Sequence, residues 1–176
     1  HMVTLCNELG ADPWFCMPTN ATDDYIRNFA TYVRDNLDPE LTVRVEYSNE
    51  TWNFAFKQTG WLKKLAVAEW GEKAPVDYSV KMAVHTALIW EDVFAGDDAG
   101  RLVNVLGSQA GNPWVTKEML NPKIWRANDP DGYVDPKTVF EEVAITTYFG
   151  SKTIAKADLR DELIAAIKDP KIDATQ

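Results

Sequence analysis

Glu50 is the residue in this chain best placed for acid chemistry. It follows the apolar run Leu41–Tyr47 after only Ser48 and Asn49. A carboxyl group leaving a buried strand is partly desolvated, which favours its protonated form. A carboxyl group that keeps its proton near neutral pH can donate it to a glycosidic oxygen. Asn49, next to it, offers an amide to a sugar hydroxyl. Other positions close to the ends of apolar runs supply Trp14, Trp52, Asn53, Gln109, Trp114 and Tyr148. Amides and a phenol hydrogen-bond hydroxyls, and indole faces stack on sugar C–H faces. Ligand pockets combine aromatic walls with a few placed polar groups in this way. Two plainer readings compete. Glu50 as a solvated loop acid is one; the other is Trp52 or Trp114 as simple core, since the chain has seven tryptophans.

These residues need elements to hold them. Val3–Gly10 reads as a helix tail with Gly10 as its cap. Pro13–Met17 is a short buried strand. Thr22 is a good N-cap for a helix through Tyr25, Phe29 and Val33, and Pro39 stops it before the next strand. That strand, Leu41–Tyr47, is the clearest in the chain. Helical spacing follows over Phe54–Trp70 and Val76–Phe94. Arg101–Leu106 is a third strand, Val115–Trp125 a short helix, Val143–Phe149 a fourth strand and Leu159–Ile167 a last helix. Lys168–Gln176 has no apolar pattern and is expected to fray. Strands alternating with helices predict a parallel sheet with right-handed crossovers. In such folds active groups collect at the carboxyl ends of strands.

Composition excludes several classes. The 18 basic and 27 acidic residues give a net charge of −9, which opposes binding to nucleic acid. No apolar run is long enough to span a membrane. No zinc spacing, phosphate loop or nucleophile elbow occurs, so neither a metal nor a cofactor is expected. Asp129-Pro130-Asp131-Gly132 lacks the ordered ligands and closing Glu of a calcium loop. His85 reads as a packing residue. Cys6 and Cys16 read as buried free thiols, although their pairing stays open. The Asn49-Glu50-Thr51 sequon reads as coincidence. His1-Met2 reads as a cloning remnant, with no signal peptide visible.

Three segments carry a family resemblance. Val45-Glu46-Tyr47-Ser48-Asn49-Glu50-Thr51-Trp52-Asn53 resembles the fourth-strand motif of clan A glycoside hydrolases. Asn7–Phe15 and Ala144–Gly150 are similar to the flanking segments of bacterial cellulase-like barrel proteins. The resemblance implies a (β/α)8 barrel in which Glu50 is the general acid/base and Asn49 contacts the sugar 2-hydroxyl. It implies a secreted bacterial protein, while the sequence leaves the compartment open. It places the chain at strands three to six only. The strand-seven nucleophile of that clan has no match here. With 176 residues, the chain is shorter than the roughly 250 of a full barrel. Glu46 shares strand parity with Glu50 but sits about 13 Å lower if the strand runs straight.

The expected fold is therefore α/β, a partial (half) TIM-type barrel of four parallel strands with outer helices, one domain over 1–176. The expected function is cleavage of β-glycosidic bonds in cellulose or another β-glucan. Trp14, Trp52, Asn53, Gln109, Trp114 and Tyr148 are the expected contacts to an oligo- or polysaccharide. A catalytically silent carbohydrate-binding fragment is the alternative, and an α/β domain unrelated to carbohydrate is a third. Exposed half-barrel edges predict a homodimer.

Overall fold

The computed structural model of the chain describes residues 1–145, 160–162 and 164–165. The chain divides into two units, His1–Thr146 and Thr147–Gln176. In the second, residues 160–162 and 164–165 are helical, within the expected Leu159–Ile167 helix.

In the first unit the elements run α1 (Met2–Leu9), β1 (Trp14–Met17), α2 (Asp23–Asn36), β2 (Val43–Tyr47), α3 (Lys57–Trp70) and α4 (Pro75–Val93). They continue with β3 (Leu102–Ser108), α5 (Pro113–Met119), α6 (Lys123–Asn128) and β4 (Glu142–Ile145). Local chemistry sets their ends. Gly10 takes a left-handed φ of 60° after α1, a conformation costly for other residues. The Thr22 hydroxyl accepts the Tyr25 amide at 3.2 Å and starts α2.

The four strands form one sheet in the order β1-β2-β3-β4, and every pairing is parallel. The order never reverses. Phe15, Met17, Val43 and Val45 project from one face into a core with α1, α2 and the carboxyl half of α4. Tyr47 and Leu106 join a second core with α3, α5, α6 and the amino half of α4. Helix α4 thus packs in both cores. Strand alternation sends Trp14, Cys16, Arg44, Glu46, Val105 and Glu142 to the other face, in register across the sheet. That face is charged. The Arg44 guanidinium holds Glu142 with two bonds of 3.0 Å, and Asp12 lies 3.4 Å away.

One expected element is corrected. The single helix expected over Val115–Trp125 is two, because Pro122 lacks an amide hydrogen and cannot continue α5. The second, α6, is started by another helix. The buried Asp77 carboxylate of α4 accepts the amides of Ile124 at 2.8 Å and Trp125 at 3.2 Å. A 3-10 turn, Gly96–Arg101, leads into β3.

Burial pushes the Asp77 carboxyl up to about 6, against the pull of these two amides. The folded state therefore holds this proton more tightly than the unfolded chain, whose aspartates titrate near roughly 3.9. Stability from this group is present below about pH 4 and is lost as pH rises towards about 6. Asp77→Asn keeps an acceptor for the amides without a charge. Its stability relative to the native chain is expected to rise by up to about 3 kcal/mol between pH 4 and pH 7, measured by urea unfolding. A pH-independent difference would show that Asp77 does not carry this linkage.

Candidate functional site

The carboxyl end of β2 does not run on as a strand. Ser48 and Glu50 both adopt left-handed backbone, with φ of 62° and 46°. Neither is glycine, so each holds local strain of order 1–2 kcal/mol. Hydrogen bonds from several elements hold the turn. The Ser48 amide donates to the Met17 carbonyl at 2.8 Å, and its hydroxyl meets that of Thr19 at 2.6 Å. Gln58 donates to the Asn49 carbonyl at 2.8 Å. The Thr59 hydroxyl lies 2.9 Å from the Thr51 carbonyl and 2.6 Å from that of Asn53. The Asn53 amide donates to the Glu50 carboxylate at 2.9 Å. Glu50 is half-buried and Asn49 exposed.

This turn delivers Glu50 and Asn49 to a cleft of about 230 Å³, lined also by Trp14, Glu46, Trp52 and Gly107. A second cleft of about 350 Å³ is lined by Trp52, Asn53, Gln109 and Trp114, with Phe54 and Asn112. Trp52 lines both. Of the expected contact residues, the structure thus brings Trp14 and Trp52 to Glu50, and Asn53, Gln109 and Trp114 to the adjoining cleft. Tyr148 lies outside the described residues. Trp52 is also largely buried in the core, so its two readings coincide. Trp14 and Trp114 are about half exposed. Asn112 has a structural task as well, since its side chain accepts the Trp114 amide at 3.2 Å and starts α5.

Glu46 is the residue that strand arithmetic set aside. The chain turns at Ser48 between them, and both carboxylates line one cleft. Burial pushes the Glu46 carboxyl above its usual range; a hydrogen bond from the Trp14 indole, at 3.0 Å, opposes this in part. Gly107 makes the room. A Cβ there would collide with Glu46 Oε1. The strand register sets Gly107 beside Ala144 and two residues beyond Val105, the partner of Glu46, a relation that spacing along the chain does not show. Gly107→Ala is therefore expected to push the Glu46 carboxylate aside and break its bond to Trp14. The Trp14 indole N–H resonance should move upfield, while stability changes by less than about 1 kcal/mol, because the displaced atom is the far end of a flexible side chain in an open cleft. An unmoved resonance would show that the glycine is not needed for this contact.

Other sequence candidates find different roles. His85 is exposed, not packed, and its Nε2 lies 2.8 Å from Asp23 Oδ1. Both cysteines are free thiols; Cys6 is half-buried and Cys16 is exposed on the charged sheet face rather than buried. Asp129 is taken by Lys81 at 3.2 Å and by the Gly132 amide at 3.1 Å. Among the described residues no cluster of three or more His, Cys, Asp or Glu could hold a metal ion. No described helix is long and apolar enough to cross a membrane.

Fold and site together define a parallel α/β unit with an aromatic, two-carboxylate cleft at the carboxyl end of its second strand. Compared with family models, with curated proteins and with solved structures, the chain finds no match.

Proposed function

We propose that the chain is a glycoside hydrolase-like protein acting on β-glycosidic bonds, with a glucan such as cellulose as substrate. The observation that carries this reading is the strained, hydrogen-bonded turn that holds Glu50 in a cleft with Trp14, Glu46 and Trp52. Glu50 acts as general acid/base at the glycosidic oxygen, and Asn49 orients a sugar hydroxyl. The exposed indole faces bind the sugar rings. Glu46 offers a second carboxyl group in the same cleft, and two such groups flank the scissile bond in most glycosidases. Purified protein assayed on aryl β-glycosides and soluble cellulose tests the reading. Turnover that Glu50→Gln leaves unchanged would exclude Glu50 as the acid. Saturable binding without turnover would favour a carbohydrate-binding protein.

The sheet is read as half of a (β/α)8 barrel. Its strand order, its cores on one face and its charged opposite face support this. A second copy set about a two-fold axis along the strands would pair β4 with β1 and close eight parallel strands. Both copies of Glu46 and Arg44 would then face one lumen. Light scattering at micromolar concentration is expected to give twice the monomer mass of 19.9 kDa. A compact monomer would remove the dimer.

A further inference from the structure

The second cleft does not end at Trp114. The same indole borders a third cleft of about 710 Å³, lined by Lys117, Asn121, Lys123 and Lys137, with Glu118 and Leu120. Trp52 therefore lines the first and second clefts, and Trp114 the second and third. The lysines come from three elements: Lys117 from α5, Lys123 from α6 and Lys137 from the 3-10 turn Pro136–Thr138. A solvated helix face would supply them from one element. Their convergence also runs against the chain's net charge of −9. Among the described residues, Lys117 and Lys123 make no ion pair, whereas Lys137 meets Asp135 at 3.4 Å on the surface. Such an exposed pair is weak and leaves the lysine available. The one carboxylate of this cleft, Glu118, interacts with Asp77.

We propose that this groove selects an anionic β-glycan, one whose sugar units carry carboxylates, by seating a charged unit among Lys117, Lys123 and Lys137 while neutral units lie along Trp114 and Trp52. The inference rests on the carbohydrate reading above and names the substrate class of that site. Glu50 does not line the cleft of the lysines, so they are assigned to binding and not to the bond cleaved.

Affinity electrophoresis and calorimetry on the full chain test it, with hydroxyethyl cellulose as neutral probe and carboxymethyl cellulose as anionic probe. At low salt the anionic polymer is expected to bind about tenfold tighter, the sum of three weak charge contacts. This preference should fade with added salt. The Lys117→Gln/Lys123→Gln/Lys137→Gln variant is expected to lose the preference and keep its affinity for the neutral polymer. Equal affinity of the native chain for both polymers would overturn the proposal, as would a preference that survives in the variant. Equally tight binding of polyglutamate, which has no sugar rings, would also overturn it, because it reveals a mere cationic patch. Failure to bind either cellulose derivative would instead strike the carbohydrate reading itself.

Discussion

Glu50→Gln is expected to lower kcat/KM on a β-glucan by about 10²–10⁴-fold, the usual worth of a positioned general acid/base. The substitution is nearly isosteric. A glutamine side-chain oxygen can still accept the hydrogen bond that Asn53 gives Glu50 at 2.9 Å. The strained backbone at Ser48 and Glu50 is secured from outside the side chain, by Met17, Thr19, Gln58 and Thr59. The variant is therefore expected to keep the native fold, with thermal unfolding within about 1 kcal/mol of the native chain, because those other residues hold the turn. Loss of activity with stability retained separates a chemical role from a structural one. The loss should be smaller on aryl glycosides with good leaving groups, which need less proton donation. An equal loss on both substrates would assign Glu50 to binding.

The largest stability effect is expected at Trp90. Its side chain is fully buried, on the carboxyl half of α4 where that helix packs against β1 and α2. Its ring sits 6.4 Å from Phe15, 6.0 Å from Phe29 and 5.7 Å from Phe94. Trp90→Ala removes the centre of this aromatic cluster and should cost about 3–5 kcal/mol by urea unfolding. Small domains hold only about 5–15 kcal/mol in all, so the variant is expected to be close to its folding limit. Trp90→Phe should cost much less. It keeps most of the ring contacts and removes an indole N–H that has no hydrogen-bond partner among the described atoms. Similar costs for the two variants would show that the cluster is not held by its packing.

The strands were the most legible part of the sequence. Strand β2 shows as an apolar run that stops at Ser48-Asn49-Glu50, and the structure ends it at Tyr47. Helix α2 shows through Thr22 and its apolar spacing. Boundaries set by turn closure, by strand pairing or by a distant side chain were harder to read. Helix α3 begins at Lys57 and not Phe54, because the turn before it is closed by Phe56 donating to the Asn53 carbonyl at 3.0 Å. Strand β3 reaches Ser108, two residues past the expected Leu106, because Gly107 and Ser108 pair with Ala144 and Ile145. The start of α6 is written partly in Asp77, 46 positions before Lys123.

Sequence alone determined the alternation of strands and helices and the parallel sheet it requires. It also placed Glu50 and Asn49 just beyond a buried strand. Both follow from local pattern, since periodicity and breaker residues act over a few positions. Only the tertiary structure decided that Glu46 joins Glu50 in one cleft, that Gly107 makes room for it, and that Trp114 borders a cleft with three lysines. Those relations depend on strand register and on a left-handed turn at Ser48. They arise between residues far apart along the chain, where spacing carries no signal and packing makes the choice.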